Sequence, residues 1–227
     1  MTRPGRAMSA LAVICLTGCT GSLFQSKVVP PAVYLLSVGT AAGAAPAANA
    51  TPAAGGPAPG TPAAPMPFDV TVLKPKLRTG LETDRIAVLY PDRRLDYFAD
   101  ARWSGPLAEV LQDLVLQELH SRGNLRNVSS DASVFSSAYW LEIEVTDFQA
   151  EYTSAAAAPT VRVHFLARIG SSGERRILGQ FEAGAAQPAA DNRLTAIVEA
   201  YERAADTALA QIVAHVDETL ATVSEAR

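Results

Sequence analysis

Side chains able to do chemistry are few in this chain, and they are widely spaced. The 227 residues include two cysteines, Cys15 and Cys19, and three histidines, His120, His164 and His215. His215 and Glu218 are three apart and would share a helical face, an arrangement typical of a solvated helix end rather than a metal site. The three histidines are scattered over two helices and a strand, and His164 falls on the polar side of its alternating stretch. No phosphate-binding loop, dinucleotide glycine motif or nucleophile elbow occurs. The reading is a non-enzymatic protein with no catalytic residue, no metal and no cofactor. A serine or aspartate brought into one cleft with His164 or His120 would revive a hydrolase.

Cys19 is the exception, because its surroundings specify its chemistry. Arg3 and Arg6 form a short positive region, and Met8 to Leu16 form an apolar stretch of nine residues. That is well short of the ~20 residues needed to cross a bilayer, and it has the size of a signal-peptide core. Leu16-Thr17-Gly18-Cys19 then places an aliphatic residue and two small residues before a thiol. This resembles the lipobox of bacterial lipoproteins, which implies cleavage before Cys19 and a covalent lipid on its sulfur. Thr20 follows, where a retained inner-membrane lipoprotein commonly carries aspartate, so the resemblance points to the periplasmic face of the outer membrane ahead of the inner membrane. Cys15 lies in the discarded segment, which leaves the mature chain no second thiol for a disulfide or a metal cluster.

The formal net charge is −4, and removal of residues 1–18 takes away Arg3 and Arg6 and no acid, giving −6. An acidic chain does not suit a nucleic-acid partner, which needs a basic face. Gly39 to Pro67 is almost entirely Ala, Pro, Gly and Thr. Such a composition buries too little apolar surface to offset its ordering entropy and reads as a disordered insertion at 39–67. The expected organisation is a signal peptide at 1–18, a lipidated tether at 19–32, and one domain at 33–227 interrupted by that insertion.

The elements follow from periodicity. Phe68 to Leu73 alternates and reads as a strand, Arg85 to Tyr90 as a more buried strand closed by Pro91, and Leu95 to Phe98 as a continuation of the sheet. Ser104-Gly105-Pro106 opens a helix striped by Leu107, Val110, Leu111 and Leu114, and Gly123 supplies its stop. Tyr139 to Val145 and Val161 to Ile169 each alternate with period two, and a third strand spans roughly Arg175 to Glu182. If the first two are neighbours, Glu142 and Glu144 come opposite Arg162 and Arg168. Leu194 to Val216 falls at helical spacing, capped by Asp191 or Asn192. The predicted fold is an α/β sandwich: a mixed, largely antiparallel sheet with two helices packed on one face.

A longer pattern lies across these elements. Thr83-Asp84-Arg85-Ile86-Ala87-Val88 is followed by Arg94-Leu95-Asp96-Tyr97-Phe98-Ala99-Asp100-Ala101-Arg102-Trp103 and Pro106-Leu107. Together with Tyr34-Leu35-Leu36, Val145-Thr146-Asp147-Phe148 and Asn192-Arg193, it resembles the ABC-type transport auxiliary lipoprotein component family, whose members include paraquat-inducible protein C. The resemblance covers nearly the whole mature chain, and the long Ala/Pro insertion departs from it. It implies docking of Val33 to Val38 on the sheet. It also implies a non-enzymatic role in moving phospholipid or other hydrophobic molecules across the envelope, with a mammalian-cell-entry-type substrate-binding protein, an ABC permease and an ATPase as partners. A homo-oligomer is compatible with the resemblance, though no periodicity here demands one. Tyr97, Phe98, Arg102 and Trp103 are the candidate partner surface, against the plainer reading of an aromatic cluster and a buried arginine that pin the loop before the helix. A scaffold lipoprotein of an outer-membrane complex, with no role in lipid transfer, is the alternative.

Overall fold

Two of the three longest strands among the described residues are those whose alternation was clearest in the sequence, and one of them organises the sheet. The computed structural model describes residues 30–38, 66–122, 124–134, 137–154 and 157–225. In chain order the elements are β1 (Ala32–Tyr34), β2 (Met66–Val72), β3 (Lys76–Leu77), β4 (Arg85–Leu89), β5 (Leu95–Trp103), α1 (Leu107–Arg122), β6 (Leu125–Ser130), β7 (Tyr139–Glu151), β8 (Thr160–Ser171), β9 (Arg176–Pro188) and α2 (Leu194–Glu225). They form a mixed open sheet of nine strands with two helices.

Strand β7 is the hub. One of its edges pairs antiparallel with β8 along its whole length, and β8 pairs antiparallel with β9. The other edge is shared in series by three short parallel segments: β2 against Tyr139–Leu141, β3 against Glu144–Val145, and β4 against Ala150–Glu151. From there β2 pairs with β6, and β4 pairs with β5, which in turn pairs with β1. The inner face of β7 and β8 carries Leu141, Ile143, Val145, Val163, Phe165 and Ile169, each at most 2% exposed. Helix α2 covers that face and β9 through Ala204, Ala205, Ala208, Ile212 and Val216, all fully or almost fully buried. The small residues of this stripe let the helix axis approach the sheet closely. Complete burial of such an aliphatic side chain stabilises by about 1.5–3 kcal/mol for Ile or Val, so the stripe outweighs any single polar contact in the fold.

The structure corrects several details. Asn192 does not cap α2: its Oδ1 accepts the Tyr152 hydroxyl at 2.5 Å, and the helix begins after Arg193, whose carbonyl accepts the Ile197 N–H. Glu142 does pair with Arg168 at 3.2 Å, but Arg162 pairs with Glu151 rather than Glu144. Antiparallel order places Leu166 opposite Glu144, and a bulge between Val145 and Asp147 shifts the remaining register by one residue. Met66 and Pro67, read as the end of the insertion, belong to β2, where the Met66 N–H donates to the Asn124 carbonyl. The signal peptide, Cys19, the tether up to residue 29, the insertion at 39–65 and Gly123 lie outside the described residues.

Ala32–Tyr34 enters the sheet parallel to β5, in register with Ala101–Trp103. Leu36 and Val38 continue into the core at 7% and 4% exposure, and the Ser37 hydroxyl donates to Glu202 of α2 at 2.6 Å.

Candidate functional site

The residues of the longer sequence pattern converge on one corner, where the β3–β4 loop, β4, β5 and the start of α1 meet. Two adjacent loop residues bind the corner together. The Thr83 carbonyl accepts the Leu107 N–H at the first turn of α1, and the Thr83 hydroxyl accepts the Arg85 N–H. The Asp84 carbonyl accepts the Trp103 N–H at 2.7 Å, while its carboxylate takes the Arg102 guanidinium at 3.2 Å. Gly80 earlier in the loop has φ +93° and faces Leu95, whose Cδ2 would lie 2.6 Å from a Cβ at that position. The positive φ favours glycine there, and a Cβ would also have to displace the end of the Leu95 side chain.

Tyr97 is half-buried; its hydroxyl donates to the Gly80 carbonyl at 2.7 Å, and the Arg85 guanidinium lies 4.2 Å above its ring. Phe98 is half-buried against the core. It opens a bulge in β5, where Asp100 takes a positive φ of 54° and Ala99 and Asp100 are exposed. Arg102 is exposed and beside Val33 of β1, which is 60% exposed, with Leu35 at 73% just beyond. Trp103 is 1% exposed, so its side chain offers nothing to a partner. Its ring packs edge-on against Tyr201 at 5.2 Å and Phe148 at 6.0 Å, and Tyr201 sends its hydroxyl to the Ala87 carbonyl at 2.8 Å. Burial pushes the Tyr201 phenol well above its ordinary range. Of the four candidate residues, Arg102 is exposed and Tyr97 and Phe98 are partly exposed, while the β1 edge residues Val33, beside Arg102, and Leu35 are exposed. Sequence reasoning missed those two, because the isolated run around Tyr34 shows only that it is apolar, not which side chains face outward.

The histidines do not assemble. His120 is exposed, with its Nδ1 2.7 Å from the Leu116 carbonyl one turn earlier, and His215 stacks on Phe181 at 4.7 Å beside Glu218 at 3.7 Å. His164 has more company: Thr146 Oγ1 lies 2.7 Å from its Nδ1, and Glu182 lies 3.4 Å from its Nε2. A hydroxyl, an imidazole and a carboxylate in that order invite comparison with nucleophilic sites. Here the Thr146 hydroxyl also points at the His164 carbonyl, 3.2 Å away, so its one proton is shared with a backbone acceptor. The Glu182 side chain is 69% exposed, which leaves the carboxylate solvated and its pull on the ring weak. The arrangement holds a bulge in place on an open sheet face. Among the described residues no group of three or more His, Cys, Asp or Glu is placed to hold a metal ion, and no helix is long and apolar enough to cross a membrane.

Nine strands in this order, two helices on the sheet and a pinned strand-to-helix corner define an α/β fold built on one mixed open sheet. The model of the ABC-type transport auxiliary lipoprotein component family matches residues 49–213, and the chain belongs to that family. Protein XCC0632 of Xanthomonas campestris has a similar structure, with a TM-score of 0.67 and 22% identity over 86% of this chain and 99% of that one. A second solved structure, of an uncharacterized protein, gives 0.58 and 13% over 85% and 99%. At these identities the likeness is one of fold. Among curated proteins none matches the sequence.

Proposed function

We propose that this chain is a non-enzymatic auxiliary subunit of an ABC-type transporter, held at the periplasmic face of the outer membrane by a lipid on Cys19. Its transporter is of the mammalian-cell-entry type and moves phospholipid or another hydrophobic cargo between the membranes. The family match over residues 49–213 is the observation that carries this reading, and the lipobox-like Leu16-Thr17-Gly18-Cys19 supports the anchor. Energy comes from the partner ATPase, because the chain carries no nucleotide motif of its own. Arg102 and the exposed edge residues Val33 and Leu35, flanked by the partly exposed Tyr97 and Phe98, are where the periplasmic partner docks. Aromatic and arginine side chains suit such a role, since they contribute disproportionately to binding at protein interfaces.

A crosslinked pull-down of the tagged protein from native membranes, beside a Cys19→Ala control, tests the proposal. Recovery of a mammalian-cell-entry protein and its permease, lost in the control, is the expected result. Recovery of outer-membrane assembly factors alone would replace transport with a scaffold role. Substituting Arg102→Glu should reduce recovery of the partner several-fold while leaving the amount of anchored protein unchanged.

A further inference from the structure

The direction in which β1 runs sets which end of the sheet the chain entering it points back toward. Strand β1 is parallel to β5, with Ala32 beside Ala101 and Tyr34 beside Trp103. Residues 30 and 31, just before Ala32, therefore lie on the side of Ala101 toward the start of β5 and the β4–β5 turn. Register carries that end across the sheet: Leu89 pairs with both Leu95 and Glu151, Glu151 with Thr160, and Thr160 with Pro188. The β4–β5 turn, the start of the β7–β8 loop and the β9–α2 connection are thus gathered at the end toward which β1 points back.

The side chains there are of a particular kind. Tyr90 and Tyr152 stack at 5.7 Å, and the Arg94 guanidinium lies 4.5 Å over the Tyr90 ring. The Tyr152 hydroxyl reaches Asn192 just before α2. Both tyrosines are half-buried. Amphipathic rings and guanidinium groups of this sort settle at the boundary between lipid headgroups and acyl chains. The turn and the connection together carry Arg93, Arg94 and Arg193 against Asp92, Asp96 and Asp191, and Arg94 and Arg193 are paired with these aspartates. The end is electrically balanced, so it neither repels an anionic surface strongly nor depends on one.

We infer that this end, centred on Tyr90, Tyr152 and Arg94, is the face the domain turns toward the lipid headgroups of its membrane. The inference rests on the proposed anchor at Cys19. Ala32 follows Cys19 by thirteen peptide units, which reach at most about 45 Å when fully extended. A leash of that length, rooted nearer this end of the sheet than the other, brings this end to the surface at the higher effective concentration.

The test uses the full-length lipidated protein in vesicles of phosphatidylethanolamine and phosphatidylglycerol, with one cysteine introduced and labelled with a polarity-sensitive fluorophore. Asp92→Cys reports on the β4–β5 turn and Glu174→Cys on the β8–β9 turn at the opposite end. Headgroup-region quenchers carried by the lipid should quench the label at position 92 at least about threefold more than the label at 174. The contrast should persist at 0.5 M salt and in vesicles without phosphatidylglycerol. Equal quenching at both ends, or stronger quenching at 174, would overturn the orientation while leaving the anchor standing. Mass spectrometry of the mature N-terminus separates the two failures: an unacylated Cys19 with protein free of the vesicles removes the anchor, and the inferred face falls with it. Tyr90→Ser in the Asp92→Cys background should lower the quenching, whereas an unchanged value would show that the rings do not make the contact.

Discussion

Arg102 and Trp103 are chain neighbours whose side chains part company: the guanidinium stays in solvent against Asp84, and the indole disappears between Phe148 and Tyr201. Alternation in a strand accounts for this, since successive side chains point to opposite faces. Their substitutions should separate accordingly. Trp103→Ala removes a fully buried ring and should cost about 3–5 kcal/mol in urea unfolding, whereas Arg102→Ala should change stability by less than about 1 kcal/mol. A stability loss of equal size for both would contradict the placement. Tyr201 adds a pH signature. Its folded-state pKa is raised by burial, so its contribution is intact below the ordinary phenol value near 10 and is lost as pH rises from there toward the raised value. Equilibrium unfolding should therefore steepen above pH 10 in the wild type and flatten in Tyr201→Phe. Composition and spacing drew attention to the four residues of the corner, but exposure was not legible from them. Whether a half-aromatic segment shows Tyr97 or Trp103 to solvent depends on a bulge at Asp100, whose positive φ no local signal announces.

At the scale of elements, Gly170 and Trp140 show how close packing crosses a pair of strands. The two are register partners on the outer face of β7 and β8, and a Cβ on Gly170 would come within 2.1 Å of the indole. Gly170→Ala should destabilise by about 1–3 kcal/mol, and by much less in a Trp140→Ala background, a coupling that a double-mutant cycle measures. The free edge of β9 has a different device. Gln211 of α2 accepts the Gly184 N–H at 2.9 Å and donates to the Gly184 carbonyl at 3.3 Å, so a side-chain amide stands where a neighbouring strand would bind. Unpaired edges recruit other chains. Gln211→Leu should raise the tendency to self-associate, seen as a concentration-dependent shift in sedimentation velocity; an unchanged monomer would sink the idea. Elements with a sustained period, β7, β8 and α2, were readable from sequence. Strand β6 was not, because Leu125 and Val128 are its only buried apolar residues and stand three apart, a spacing that fits no strand period. The two-residue β3 is too short to show any period, and it exists because β7 offers it an edge. The bulge after Val145 ended the readable pattern of β7 six residues before the strand itself ends.

For the molecule as a whole, the placement of residues 32–38 joins the described domain to whatever lies before it. Leu36 and Val38 are in the core, and Ser37 holds Glu202. A protease site inserted after Ala50 and then cut should leave the upstream fragment bound to the domain through gel filtration under native conditions. Release of that fragment would show that the contacts of this segment are too weak to anchor it. The arrangement around β7 has a consequence for how the chain acquires its shape. The three segments that line one edge of the hub all precede it in sequence, and Glu151 follows Leu89 by 62 positions. A chain appearing N-terminus first at 5–20 residues per second spends about 3–12 s with β2, β3 and β4 made and their shared template still missing. During that interval β4 has only β5 and β1 beside it and β2 only β6. Val70, Val72, Ile86 and Val88 therefore lack the central strand that completes their sheet, and helix α2, which covers the inner face, is later still. Biogenesis of this protein is therefore governed by a delay: its first strands must be kept from other partners until residues near its middle arrive.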